Sequence, residues 1–423
     1  MISAVSPLQQ LNGNRTGIKF DNTDCTKSDT MRLLVSAIFV FIVNLSFSLK
    51  GMAQWDSTQK PVRIAVIAPL YLDSAFNGFT YALGKTSIPK LFLPGLEFYN
   101  RVMMAIDSLQ KENINIEVWV YDSRKKGQST VSLTSEMLPL KFSMIIASFT
   151  NASEQKVLSD FSFNNTIPLI SATYPNDANI NGNPMFLMVN PTWKTHIAAI
   201  AGFIKENYPD SKPLVITKSG VLEEKILQEL TAAKAKKLLP AFTPFSASDN
   251  VDFENLKPYL DSTKKNIIIC GSLNEEFGSN LIKTLNNASG YSTVLIGMPT
   301  WNGMKATNGA DCKNISLLFT TPYNYKITSP RIAALASNYK AKYNARPGDM
   351  VFKGYETMYH FTKLLLQQKG IFIIKASDPS FKVANDFDFQ PVRQNNTSVL
   401  PDFQENKKIY FIKVINGVVQ SGN

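Results

Sequence analysis

The stretch MIIASFTNASEQKVL (residues 144–158) changes character twice. MII is an apolar run without alternation, which suits a strand covered on both faces. SEQKVL has the pattern of a helix start. Asn151 or Ser153 can cap its first turn, and Glu154 lies where negative charge complements the helix dipole. Between them runs ASFTNA, small and hydroxyl-rich, with no glycine. A polar strand-to-helix junction of this kind suits a nucleophile, a phosphate or a small ligand.

The same rhythm extends on both sides. VRIAVIAPL (62–70), INIEVWVYD (114–122), FSMIIASF (142–149) and IPLISAT (167–173) read as strands. GLEFYNRVMMAIDSLQKE (95–112) reads as a helix, with Leu96, Tyr99, Met103, Ile106 and Leu109 on one stripe. Strands alternating with helices predict an α/β fold with parallel sheets. Near Asn190 the pattern restarts with the helix of PTWKTHIAAIAGFIKENYP and the strands of KPLVITKS, NIIICGS and STVLIGMP. The expected division is a first lobe from residues 54–190 plus 321–376 and a second from 191–320 plus 377–423. KKIYFIKVINGVVQ (407–420) is expected to join an existing sheet, because a lone apolar strand leaves its ladder groups unpaired. MIIASFTNASEQ and NIIICGSLNEEF echo one another, each an apolar strand followed by Ser, Asn and an acid. Such loops lie at the carboxyl ends of strands, where open α/β sheets bind ligands.

The chain has 423 residues, 44% hydrophobic and 18% charged, long enough for two lobes. Its net charge of +11 is spread out, with no like-charge run longer than Arg124-Lys125-Lys126, so no nucleic-acid surface is expected. Residues 31–53, MRLLVSAIFVFIVNLSFSLKGMA, have the form of a cleavable signal peptide. Arg32 supplies the basic end, residues 33–49 the apolar core, and Gly51 and Ala53 the small residues before a cut after Ala53. No cysteine follows to carry a lipid, so a periplasmic or secreted protein is expected, without stable membrane insertion after cleavage. Residues 1–30 then read as an over-extended reading frame or a disordered extension. Cys270 and Cys312 remain after cleavage, as a disulfide or as buried free thiols.

Catalytic patterns are missing. The two histidines, His196 and His360, sit within helical patterns and read as packing or surface residues. No HExxH, Cys/His cluster or EF-hand spacing supports a metal, no GxSxG supports a nucleophile elbow, and no glycine-rich phosphate loop follows the first strand. No cofactor is expected. Binding chemistry fits better. Ser148, Thr150 and Asn151 bring hydroxyl and amide groups to a helix N-terminus, which favours an anionic group. Ser171, Ala172, Thr173 and Tyr174 follow a buried strand directly, before Pro175 ends regular structure. In the second unit Asn274 and Glu275 open a helix, and Trp301 lies in a loop after a strand, as a hydrophobic plug or a stacking wall.

RIAVIAPL, PGLEFYNRVMMAIDSL, IEVWVYDSR, IIASFTNASEQKVL, IPLISATYP and KYNARPGDMVFKGYETMYHFTKLLLQQKG together resemble type I periplasmic solute-binding proteins of the leucine/isoleucine/valine-binding branch. The resemblance implies two Rossmann-like lobes joined by three crossovers, a Venus-flytrap that closes on a ligand. It implies no enzymatic step, a small polar, amino acid-like ligand, a monomer and an ABC transporter permease as partner. It puts Ser148, Thr150, Ala172 and Thr173 on the ligand's carboxylate and ammonium, with a second-lobe acid near Asn274 or Glu275. The first loop, LYLDSAFNG, and the second-lobe loop, GSLNEE, depart from the family's pattern. Two other classes stay open: an interaction module on the same fold, such as a regulator of cell-wall synthesis, and a hydrolase using Ser148 or Ser171.

Overall fold

The computed structural model describes residues 60–84, 88–249, 251–324, 330–344, 349–368, 372–394 and 399–421. The expected extension 1–30 and signal peptide 31–53 lie outside the described residues. Val62–Asn423 forms one compact unit, built on two seven-stranded sheets.

The first sheet is built on β1 (Val62–Ala68), β4 (Ile116–Asp122), β5 (Met144–Ala147), β6 (Leu169–Ser171) and β7 (Phe186–Met188). β13 (Phe389–Val392) and β14 (Phe403–Asn406) complete it, in the order β13-β14-β7-β6-β5-β1-β4. All neighbours run parallel except β13 against β14. Its helices are the single turn α1 (Leu72–Ala75), α2 (Leu93–Lys111), α3 (Thr130–Met137) and α4 (Ala152–Asn165). A small hairpin, β2 (Phe76–Asn77) and β3 (Thr80–Tyr81), follows α1.

The second sheet repeats the plan with β8 (Leu214–Lys218), β9 (Thr243–Ala247), β10 (Lys265–Cys270), β11 (Ser292–Gly297) and β12 (Ser316–Thr321). The tail strands β15 (Tyr410–Ile415) and β16 (Val418–Ser421) add antiparallel, giving β16-β15-β12-β11-β10-β8-β9. Its helices are α5 (Trp193–Asn207), α6 (Val221–Ala235), the single turn α7 (Phe253–Leu256) and α8 (Glu275–Asn286). α9 (Pro330–Tyr343) and α10 (Asp349–Gln368) return to the first lobe, where Leu335, Tyr339, Met358 and Phe361 share a core with β1 and α2.

Strand composition explains the layering. In β1, Ile64, Val66 and Ala68 enter one core while Ala65 and Ile67 enter the core on the opposite face. β10 divides likewise, with Ile268 and Cys270 on one side and Ile267 and Ile269 on the other. Both faces are covered, so the runs are apolar throughout rather than alternating. α10 packs closely on α2 at Gly354, where an added Cβ would lie 2.4 Å from the Phe98 carbonyl oxygen. Gly95 at the start of α2 meets the Pro69 carbonyl equally closely and seats this helix on the loop after β1.

One expected boundary needs correction. Residues 377–423 do not all belong to the second lobe, since β13 and β14 extend the first sheet. β7 would otherwise end that sheet with an unpaired ladder. β14 pairs with it in parallel, and Phe403 packs on Phe186 with ring centroids 6.3 Å apart. The tail beyond is a hairpin rather than one strand. Asn416 and Gly417 turn it with φ of 52° and 73°, the backbone an Asn-Gly turn of type I′ requires.

The chain crosses between sheets three times: after β7, after β12 and after β14. Glu405 on β14 ties the third crossover to the first, accepting from Thr192 N at 2.8 Å, Thr192 Oγ1 at 2.9 Å and Thr195 Oγ1 at 2.6 Å. Lys407 pairs with the same carboxylate. Tyr323, on the second crossover, donates its hydroxyl to Asn190 Oδ1 on the first.

Candidate functional site

In each sheet the chain leaves the first strand toward one neighbour and later returns to its other side. These reversals lie between β1 and β5 in the first lobe and between β8 and β10 in the second. The carboxyl ends of the strands at such a reversal are the usual ligand position in open α/β sheets.

In the first lobe Asp122, ending β4, holds the loop after β1. Its carboxylate accepts from the amides of Leu70 (2.9 Å), Tyr71 (3.1 Å), Leu72 (2.8 Å) and Arg124 (2.9 Å). Tyr71 takes a left-handed conformation, φ 55°, in that clamp. Across the reversal, Ser148 N donates to Ile67 O at 2.8 Å, and the Ser148 and Thr173 hydroxyls meet at 3.1 Å. The structure thus brings together the two junctions expected from sequence. Asn190 Nδ2 donates to the Thr173 carbonyl, so this loop is wired to the crossovers.

The remaining first-lobe candidates divide by role. Asn151 caps α4, accepting from Glu154 N at 2.9 Å. Thr150 is exposed, and its hydroxyl meets the Arg124 guanidinium. Ser171 and Ala172 are buried; Ala172 N is used by Ala147 O, while Ser171 Oγ has no hydrogen-bond partner among the described residues. Tyr174 is half-buried against the core on the α4 face. Sequence patterns did not single out Arg124 and read Glu154 only as a partner of the helix dipole. Glu154 is buried, pairs with Arg124 Nη2 at 3.1 Å, and accepts from Thr150 N at 3.3 Å. Arg124 Nε and Glu154 Oε1 have no partner among the described residues. Buried polar atoms are nearly always satisfied, so this corner has donor and acceptor capacity left over.

In the second lobe the acid at the reversal is Glu223, in the first turn of α6. Its Oε1 accepts from Ser272 Oγ at 2.6 Å, and Ser272 Oγ accepts from Asn274 N at 3.1 Å. Glu223 is buried, and a Cβ on Gly220 would stand 2.3 Å from its Oε2. Asn274 caps α8, accepting from Phe277 N at 2.8 Å, and Glu275 is exposed in that helix's first turn. Of the two readings of Trp301 the hydrophobic plug holds, and its place among the ligand-binding residues needs correction. It is fully buried in the second-lobe core and belongs to no strand-end loop surface. A short 3₁₀ turn, Pro299–Trp301, folds the indole into a slot between Gly278 and Gly297, where added Cβ atoms would meet the ring at 2.6 and 2.1 Å.

Other reactive groups are sealed in the core. Burial pushes the Cys270 thiol up to about 12, and both Cys270 and Cys312 are buried and unpaired with each other. Burial lowers His196 to about 3 and His360 to about 4, so both are neutral packing groups at ordinary pH. Among the described residues no cluster of His, Cys, Asp and Glu could hold a metal, and no helix is long and apolar enough to cross a membrane.

Two seven-stranded α/β sheets, each with one reversal of strand order, and three crossovers between them describe a two-lobed fold. A family model described as periplasmic binding protein matches residues 95–385, more than half of the chain. The chain belongs to the periplasmic binding protein family. Among solved structures it is similar to an ABC transporter substrate-binding protein from Sphaerobacter thermophilus, with TM-score 0.57 and 12% identity over 86% of this chain and 96% of that one. It is also similar to an ABC transporter substrate-binding protein from Desulfitobacterium hafniense in complex with leucine, with TM-score 0.56 and 11% identity over 86% and 100% of the two chains. These likenesses establish the type I periplasmic binding protein fold, in agreement with the resemblance carried by the strand and helix motifs. No curated protein matches the chain.

Proposed function

We propose that this periplasmic binding protein captures a small zwitterionic ligand, amino acid-like, between its lobes and hands it to an ABC importer. The observation that carries the reading is the complementary chemistry of the two reversals. The first lobe offers the paired Ser148 and Thr173 hydroxyls, with Arg124 nearby, as donors for a carboxylate. The second offers the Glu223 carboxylate, oriented by Ser272, as acceptor for an ammonium. In this reading the second-lobe acid is Glu223, and Asn274 and Glu275 shape the mouth of the site. A ligand group of either sign is bound best by preorganised, partly desolvated partners, which these hydrogen bonds provide. Binding involves no catalytic step.

The leucine complex of the Desulfitobacterium protein supports the ligand class. The chain acts as a monomer in the periplasm after loss of residues 31–53, with a permease as its protein partner. Thermal unfolding across a panel of amino acids, amides, short peptides and sugars tests the reading. A raised midpoint with free amino acids, and none with sugars, is expected. An unchanged midpoint across the panel would contradict it.

A further inference from the structure

The segment between β1 and α2 is unusual for what it leaves in water. Phe76 and Tyr81 pair across the β2–β3 hairpin with rings 5.7 Å apart, yet both are exposed. Phe79, at the turn, is 105% exposed, so its ring has no protein contact to shield it. Gly78, φ 59°, starts this two-residue turn, a position where glycine holds the hairpin tip in shape without strain. Leu72 is exposed on the adjoining helical turn. The hairpin is anchored rather than loose. Asp122 clamps its base, and Asp73 accepts from Lys126 N at 2.9 Å, docking the Lys125-Lys126 loop beside it.

Lys125, Lys126 and Lys90 are exposed, and none has an ion-pair partner among the described residues. Asp73 and Asp122, the acids that bond this loop, are engaged by the Lys126 and Arg124 amides. An apolar tip flanked by unpaired lysines matches the boundary of an anionic bilayer, where rings enter the acyl edge and ammonium groups meet headgroups. A ring lining a ligand crevice would have protein on at least one side, and Phe79 has none. We propose that the hairpin tip at Phe76, Phe79 and Tyr81, with Lys125 and Lys126, is a docking patch that seats the protein on an anionic lipid surface. The patch is independent of the ligand assignment.

Cosedimentation of the exported protein, its leader removal verified by mass spectrometry, with phosphatidylcholine vesicles with and without phosphatidylglycerol tests this. Binding is expected only to the anionic vesicles and should fall as salt rises. The variant Phe76→Ser with Phe79→Ser should lose at least about tenfold in partitioning, since each ring's burial is worth about that much. Lys125→Glu with Lys126→Glu, which leaves the rings intact, should also lose binding. Failure of the parent protein to bind anionic vesicles would overturn the proposal. So would binding by either variant as strong as the parent's. Loss of amino acid response in the Phe variant, with vesicle binding kept, would instead assign the hairpin to the crevice.

Discussion

At the residue scale, Thr173 joins the proposed binding site to the surrounding structure. Its hydroxyl meets Ser148 and its carbonyl accepts from Asn190. Losing one hydrogen bond to a charged ligand group costs about 1.5–3 kcal/mol, roughly ten- to a hundredfold in affinity. Thr150→Val with Thr173→Val should therefore nearly abolish binding by calorimetric titration, while the ligand-free thermal midpoint moves little. Glu223→Gln keeps the shape and an acceptor for Ser272 but removes the charge, so it should weaken binding of a zwitterion by a similar factor. A sharp fall in midpoint with affinity intact would make these residues structural. Gly297→Ala is expected to act purely on stability. Its Cβ would overlap the Trp301 ring, and overpacking of this kind costs about 1–3 kcal/mol or more. The hydroxyl junctions were legible because they directly follow apolar strands. Glu223 was not, since a Glu in the first turn of LEEKILQEL looks like an ordinary dipole partner. Trp301 misled because its slot is made by Gly278 and Gly297, and only folding brings Gly278 beside it.

At the scale of elements, the strand–helix alternation was readable because central parallel strands such as β1, β5 and β10 are apolar on both faces. β13 and β14 were not. FQPV contains a proline and FQEN three polar residues; β14 is a strand because β7 offers an edge, and β13 because β14 does. The hinge belongs to this scale too. Glu405 gathers three donors from the start of α5 and pairs with Lys407, all across two crossovers. Removing a buried acceptor strands its donors, at about 1–3 kcal/mol. Glu405→Ala should lower the calorimetric unfolding midpoint by several degrees. Tyr323→Phe removes the hydroxyl that reaches Asn190, and through it the Thr173 loop. It should change ligand affinity more than stability, read as a shifted Kd with a nearly constant midpoint.

The whole molecule carries a pH signature set by its two histidines. Both are neutral in the folded protein, at about 3 for His196 and about 4 for His360, against an ordinary 6.5. Below pH 6.5 the unfolded chain takes up protons that the folded chain refuses. Their contribution is therefore complete above pH 6.5 and is lost progressively as pH falls toward 4. His196→Gln should flatten the fall of the midpoint across that window; an unchanged slope would show that other groups set it. Above all, the molecule is read as two lobes that close on a ligand held at their strand-end reversals. The most direct test is the distance between spin labels at Lys156→Cys on α4 and Glu276→Cys on α8, both exposed positions, with the native thiols buried. Adding the amino acid that most raises the thermal midpoint should shift the distance distribution to a shorter value in the parent background and leave it unmoved with Glu223→Gln. A distribution unchanged by a ligand that binds would contradict the account.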